Sequence, residues 1–107
     1  MNGPNVNGQA IIAGIGQTEF SKDSGRSELQ LAAEASIGAI RDAGLTPADI
    51  DGTVTFLLDS NDEHRLMRAL GIHEVHYMSR TTNGGGGAHS TIAHAAMAVA
   101  TGVANAV

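Results

Sequence analysis

The sequence predicts an α/β fold with a layered sheet that is at least partly parallel. Apolar runs of strand length alternate with stretches of helical periodicity, and short polar connections separate them. The composition agrees with closely packed layers, because the chain has 14 glycines and only 3% aromatic residues, so small aliphatic side chains must fill the core. With 107 residues the chain forms one domain at most.

The first half of the chain predicts two strands separated by a helix. Residues 10–15 are almost entirely apolar, which is typical of a short strand buried on both faces. A capping box from Ser27 to Gln30 begins a helix with an apolar stripe, and Gly44 ends it. Residues 53–58 are predicted to form the second strand.

The second half continues the alternation. A capping box from Ser60 to Glu63 begins a short helix, whose apolar face is predicted to be Leu66, Met67 and Leu70 and which Gly71 ends. Residues 75–79 are predicted to form the third strand. A glycine loop at residues 84–87 then leads into a third helix. The inward-facing side chains of that helix are predicted to be Ile92, Ala95, Ala96 and Val99. Residues 103–107 resemble the beginning of a fourth strand, so we expect the chain to stop within an element.

Charge and composition exclude several classes of protein. The net charge is −5, and the six Lys and Arg residues are not clustered, which argues against nucleic-acid binding. A polar N-terminus predicts no secretory signal, and the weakly polar C-terminal stretch is too rich in small residues to span a bilayer, so we expect a cytoplasmic protein. The absence of cysteine excludes disulfides, thiolate–zinc sites and cysteine-based catalysis by this chain.

The histidines do not form a metal-binding pattern. His89 and His94 are five residues apart, which places them on well-separated faces of a helix. His73 and His76 are three residues apart and point to opposite sides of a regular strand. We therefore predict no metal site.

The most informative segment is residues 82–91, with the sequence TNGGGGAHST. A glycine-rich junction between a strand and a helix gathers free backbone amides and the positive end of the helix dipole at one point. Such a point can stabilise an oxyanion, a thiolate or a phosphate. No lysine follows the run, so it is not a Walker phosphate loop. The residue pattern leaves open a second interpretation, in which the glycines form only a flexible turn.

Three segments carry a resemblance to a known family. Residues 13–22 (AGIGQTEFSK), residues 42–52 (DAGLTPADIDG) and the glycine run with residues 94–104 resemble the lipid-transfer-protein branch of the thiolase superfamily, which is related to the thiolase part of sterol carrier protein x. The resemblance covers nearly all of the chain after Gln9. It implies a layered α-β-α-β-α thiolase-like fold in the complete protein, of which this chain is only part of the first half. The implied division is a flexible N-terminus at 1–9 and a partial N-terminal thiolase-like domain at 10–107.

The resemblance also implies a site. In thiolases a nucleophilic cysteine occupies the position of His89, where helix amides and dipole lower the pKa of the thiol. The substrate-binding residues implied around it are Asn83, Gly85, Gly86, Gly87 and Ser90. Some members of this branch without the cysteine are retro-aldolases that cleave a β-hydroxyacyl-CoA, often in steroid side-chain degradation. Those enzymes work beside a small OB-fold and zinc-ribbon partner. His89 then either supplies a hydrogen bond or only fills the space of the cysteine.

Our leading hypothesis is therefore a thiolase-like protein that processes acyl-CoA without a cysteine nucleophile, as a retro-aldolase or an acyltransferase. The resemblance implies a coenzyme A thioester as substrate, no cofactor bound by this chain, and a homodimer when complete. Two alternatives remain open. One is a noncatalytic lipid- or acyl-CoA-binding protein, and the other is an inactive truncated fragment of an acetyl-CoA acetyltransferase-like protein.

Overall fold

The computed structural model describes residues 7–82 and 84–107. The regular elements of this part of the chain, apart from one 3-10 turn, are helices α1 (Glu28–Asp42), α2 (Glu63–Leu70) and α3 (Gly84–Ala100) and strands β1 (Gly52–Phe56) and β2 (Tyr77–Thr81). The predicted α/β class is confirmed. The five layers of the thiolase-like prediction are not seen, because the described residues form one two-stranded parallel sheet and three helices.

The elements belong to two compact units. The helical unit comprises Ile12–Asp49 and Ser60–His73, and therefore contains α1 and α2. The sheet unit contains Ile50–Asp59 and Glu74–Val107, and therefore β1, β2 and α3. Each unit brings its elements together from distant parts of the sequence.

In the helical unit, local sequence signals determine where the helices begin and end. The Ser27 hydroxyl accepts a hydrogen bond from the amide of Gln30 at 3.1 Å, as the capping box predicts. α2 is capped by Asp62 rather than by the predicted Ser60, because the Asp62 carboxylate accepts a bond from the His64 amide at 2.8 Å. Gly71 ends α2 with a φ of 77°, a left-handed conformation that favours glycine.

The predicted first strand, residues 10–15, forms no strand in the structure. Its glycines instead lie against the backbone of α1. A Cβ built on Gly14 would collide with the carbonyl of Ala39, and a Cβ on Gly16 would collide with that of Ala35. The amide of Ile15 donates to the Asp42 carboxylate at 3.0 Å. This close contact between two backbones requires glycine, because any Cβ would collide there. It replaces the hydrogen bonds that a strand would have formed with a neighbouring strand.

In the sheet unit, β1 and β2 pair in parallel from Gly52 opposite Tyr77 to Phe56 opposite Thr81, and α3 packs on both strands. The predicted inward stripe of α3 is wrong at Ile92, which is 57% exposed, whereas Ala98 is buried. Small residues such as Gly87 and Ala98 allow this helix to approach the strands closely.

The predicted fourth strand at residues 103–107 is likewise not formed. This segment instead lies beside the start of β1. Ala104 is buried, and a Cβ on Gly52 would lie 2.9 Å from the side chain of Val107.

The contact between Gly16 and α1 leads to a stability prediction. Gly16→Ala should lower the free energy of unfolding by about 1–3 kcal/mol, because its Cβ would meet backbone atoms that cannot move aside cheaply. Gly38→Ala is the matched control, since its Cβ would lie 3.5 Å from the Gly16 Cα, an ordinary contact. As a helix-interior change, the control should raise stability by about 0.5–1 kcal/mol. Denaturant titration measures both, and equal effects would contradict the close approach.

Candidate functional site

The glycine run forms the first turn of α3 rather than the predicted loop. The first residue of the helix has a φ of 59°, which favours glycine. Gly87 is buried, and the Thr82 carbonyl and the Phe56 ring lie so close that no Cβ would fit there. Gly86 differs, since nothing lies within 4 Å of the position its Cβ would take. One glycine is therefore required for packing, and the other borders open space.

The N-terminus of α3 presents backbone amides at a surface that is open at Gly86. The first four amides of a helix have no partner within the helix, and they lie at the positive end of its dipole. In α3 the described amides of this kind belong to Gly84, Gly85 and Gly86, and the surface at Gly86 is open. Of the predicted binding residues, Asn83 and the surroundings of Gly85 lie outside the described part of the chain. The described amides have the chemistry to stabilise negative charge.

The predicted site residues divide between two faces of α3. His89 is exposed and lies three residues after Gly86, so both are on the outward face. Ser90 is half-buried and its hydroxyl donates to the Gly87 carbonyl at 2.8 Å, so this pair lies toward the sheet. The outward pair is the part accessible to a ligand.

Two hydrogen bonds join α3 to β2, and neither was predicted from the sequence. The Thr81 hydroxyl donates to the Gly87 carbonyl at 2.6 Å. Ser79 Oγ and His94 Nδ1 form a hydrogen bond of 2.8 Å about two helical turns further along α3. The sequence does contain a signal for these contacts. Ser79 and Thr81 lie on one face of β2, and their partners Gly87 and His94 are seven residues apart, which places both on one face of α3. These contacts determine where the glycine turn lies relative to the ends of the strands.

The segment that leaves β1 is held at the same edge of the sheet. The Leu57 amide donates to the Thr81 carbonyl at 2.8 Å and extends the pairing beyond β1. Arg80 Nη1 donates to the carbonyls of Phe56, Leu57 and Asp59, at 3.2, 3.3 and 2.9 Å. One guanidinium therefore holds three backbone carbonyls within a segment of four residues. The carboxyl edge of a parallel sheet is where α/β proteins usually bind ligands.

α3 carries no charged side chain. Its 17 residues, from Gly84 to Ala100, include no Asp, Glu, Lys or Arg. Its outward face instead presents apolar side chains, including Ile92 and Met97, which are 57% and 45% exposed. A helix that is apolar on all sides is typically covered by other protein or by ligand.

The opposite edge of the sheet unit is organised by a buried carboxylate. Asp51 is 8% exposed and immediately precedes β1. Its Oδ1 accepts from the amides of Asn105 and Ala106 at 2.9 and 3.0 Å, and its Oδ2 also accepts from the Asn105 side chain at 3.3 Å. His76 Nδ1 lies 3.3 Å from the same carboxylate. These bonds join the start of β1, the approach to β2 and the segment after α3.

Asp51 and His76 each shift the pKa of the other. Burial of the Asp51 carboxyl raises its pKa, but the amides of Ala106 and Asn105 and the nearby His76 outweigh burial and hold that pKa below its ordinary value. The hydrogen bond from His76 to Glu74, together with the Asp51 charge, raises the pKa of His76 despite partial desolvation. Within residues 7–82 and 84–107, no group of three His, Asp or Glu side chains could hold a metal ion.

Comparison with known proteins identifies what the chain resembles. It is 58% identical over 102 residues to the 17-hydroxy-3-oxo-4-pregnene-20-carboxyl-CoA lyase of Mycobacterium tuberculosis, and 59% identical over 100 residues to the steroid side-chain-cleaving aldolase of Thermomonospora curvata. The chain is similar to steroid side-chain aldolases. A solved structure named Ltp2-ChsH2(DUF35) aldolase superposes with a TM-score of 0.84 at 60% identity, over 87% of this chain. No family model matches.

The names of these relatives correct the family assignment that the sequence resemblance implied. They describe a lyase and two aldolases, and none describes a thiolase or an acyltransferase. The assignment to the thiolase superfamily is therefore wrong, and with it the acyltransferase hypothesis. The retro-aldolase hypothesis agrees with what these aldolase relatives are named for, and it needs no cysteine.

The match covers almost all of this chain but a minor share of each relative. The alignments include 95% and 94% of the chain, which spans about a quarter of the length of the two curated relatives (26%) and of the solved chain (24%). The name of the solved structure includes a second component, ChsH2(DUF35). Among the described residues, no helix is long and apolar enough to cross a membrane.

The Asp51 cluster leads to a second stability prediction. Asp51→Asn should lower the free energy of unfolding by about 1–3 kcal/mol, because one carboxylate oxygen is replaced by a donor that faces other donors. Asp23→Asn is the matched control. Its exposed Oδ1 accepts a single bond from the Gly25 amide, which an asparagine oxygen still accepts, so the change should stay within about 0.5 kcal/mol.

The same substitution should flatten the pH dependence of stability. The pKa of Asp51 is lowered on folding, so its contribution is present above about pH 3.9 and is lost as the pH falls through the lowered value. The pKa of His76 is raised, so its contribution is present below about pH 6.5 and is lost as the pH rises through the raised value. Denaturant midpoints at pH 3–9 measure both effects. An Asp51→Asn profile parallel to that of the parent would contradict the assignment.

Proposed function

We propose that this chain contributes to a carbon–carbon lyase that cleaves a β-hydroxyacyl-CoA with a bulky polycyclic acyl group. The observation that carries the proposal is the identity of 58–59% to two enzymes named for this class of reaction, over at least 94% of the chain. The absence of cysteine supports the same chemistry, because a retro-aldol cleavage needs no acyl-enzyme.

The reaction follows from the name of the mycobacterial relative. A 17-hydroxyl and a 20-carboxyl-CoA place the hydroxyl on the carbon β to the thioester carbonyl. A base removes the hydroxyl proton, the C17–C20 bond breaks, and its electron pair moves onto C20 to give a thioester enolate. Protonation of C20 then releases propionyl-CoA, and C17 becomes a ketone. Atoms and electrons balance without an oxidant or reductant.

The glycine turn of α3 supports a role in holding the enolate. Negative charge develops on the thioester oxygen during cleavage, and backbone amides at a helix N-terminus stabilise such charge. Gly86 leaves room for the thioester to approach these amides, which a side chain would prevent. His89 lies on the same face and is the candidate donor or proton acceptor beside the thioester. In this role His89 is not a nucleophile.

The same proposal includes the cofactor, the partner protein and the location. The substrate is the CoA thioester itself, and we expect no separate cofactor on this chain. The second component in the name of the solved structure supports a partner protein of the small OB-fold and zinc-ribbon kind. A homodimeric core and a cytoplasmic location remain predictions.

The first test combines turnover with mass spectrometry. The gene product that carries this sequence is mixed with the 17-hydroxy steroid CoA thioester, with and without the ChsH2-type partner. We expect release of a 17-ketosteroid and propionyl-CoA, and no mass increase equal to an acyl group on the intact protein. The reason is that this chain contains no thiol and that its Ser90 hydroxyl already donates to the Gly87 carbonyl.

A His89→Ala variant serves to locate the chemistry, and His89→Gln retains a hydrogen-bonding side chain as its control. Loss of one positioned donor or base typically lowers kcat by about 100-fold. A stable acyl adduct mapped near His89 would contradict the noncovalent mechanism. Tight binding of the thioester without any ketone release would favour the noncatalytic acyl-CoA-binding alternative.

The open space at Gly86 allows the location of the site to be tested apart from the fold. Gly86→Val should weaken propionyl-CoA binding about tenfold or more, because the side chain would cover the amides of the first turn, while the melting temperature should change little. Ala93→Val is the matched control, since Ala93 is exposed two turns further along the same face. Calorimetric titration measures both variants. Equal affinities would remove the glycine turn from the site.

A further inference from the structure

The segment that leaves β1 presents two leucines to solvent at the carboxyl edge of the sheet. Leu57 is 50% exposed and Leu58 is 77% exposed. Single exposed leucines are common in proteins and need no explanation. Two consecutive ones on backbone that is firmly held are unusual, because an exposed apolar pair gains nothing from being fixed unless something binds it.

The backbone under these leucines is held from two sides. The Leu57 amide is bonded to Thr81, and the Asp59 amide donates to the Phe56 carbonyl at 2.9 Å to close a turn. Arg80, half-buried on β2, donates to three carbonyls of the same segment. A guanidinium presents a rigid set of donors, so it fixes the direction of the segment as well as its position.

The leucine pair adjoins the glycine turn of α3. The Phe56 ring, one residue before Leu57, packs against Gly87, and the Leu57 amide bonds to the residue that precedes Thr82. The exposed leucines and the first turn of α3 therefore belong to the same edge of the sheet unit. A ligand with a negatively polarised carbonyl next to a large apolar body matches both features.

We propose that Leu57 and Leu58 form the wall that contacts the apolar ring system of a polycyclic acyl-CoA, and that Arg80 positions this wall. The inference rests on the proposed function, and it adds the residues that select the acyl group. Phe56 and the leucines supply apolar area only, so the pair discriminates by size and shape. A short acyl chain attached to the same thioester would not reach it.

The test compares two substrates in the complete gene product with its partner. The kcat/KM for the 17-hydroxy steroid CoA thioester is divided by that for 3-hydroxybutyryl-CoA. Leu57→Ala with Leu58→Ala should lower this ratio about tenfold or more, because each truncation removes apolar contact from the ring system alone. Val103→Ala is the matched control, a 48% exposed residue beyond the C-terminus of α3, and it should leave the ratio unchanged.

A second readout separates this inference from the proposed function. The probe is the steroid CoA thioester without the 17-hydroxyl, which cannot be cleaved, and its affinity is measured by calorimetry. Binding by the parent with at least tenfold weaker binding by the double variant supports the leucine wall, even if no substrate is cleaved. Cleavage of the steroid substrate with an unchanged ratio and unchanged probe affinity overturns the wall and leaves the lyase in place. Arg80→Met should reproduce part of the loss, since a methionine side chain donates no hydrogen bond to the carbonyls of Phe56, Leu57 and Asp59. A ratio equal to that of the parent in this variant would overturn the positioning role.

Discussion

The sheet unit depends on one buried carboxylate. Asp51 accepts bonds from the backbone of Asn105 and Ala106, and its own carbonyl accepts from His76 and Tyr77 at 2.6 and 3.3 Å. A carboxylate buried without partners would cost several kcal/mol, so the cluster is stable only when all its donors are in place. Closing it fixes the start of both strands and the segment after α3. The carboxyl ends of the strands, where the candidate site lies, are aligned by the same pairing.

Most features that depend on local sequence were predicted correctly, although α2 is capped by Asp62 rather than by Ser60. The cap at Ser27 and the left-handed end at Gly71 follow from hydrogen bonds and backbone conformations within a few residues. The burial of Leu66, Met67 and Leu70 follows from helical periodicity in the same way. Such signals need no knowledge of the rest of the molecule.

Features that depend on packing between elements were not predicted. Four glycines disfavour a helix, yet the bond from Thr81 to Gly87 and the contact with Phe56 hold them in one. Ile92 fits the period of an inward stripe, but the narrow space over β1 and β2 selects Gly87 and Ala98 instead. For the site, the sequence indicated the neighbourhood of Gly86 and His89 but not Arg80 or the leucines, because their role depends on the pairing of two strands.

The absence of charged side chains on α3 has a consequence for how a ligand is recognised there. Apart from the His89 imidazole, the electric field at its N-terminal end comes from peptide dipoles, which neither titrate nor move with a side-chain rotamer. Recognition is therefore encoded in the backbone. Most residues along the outward face of the helix can drift in evolution without altering the field that an anion experiences, whereas a residue larger than glycine at position 87 would displace the helix that produces it.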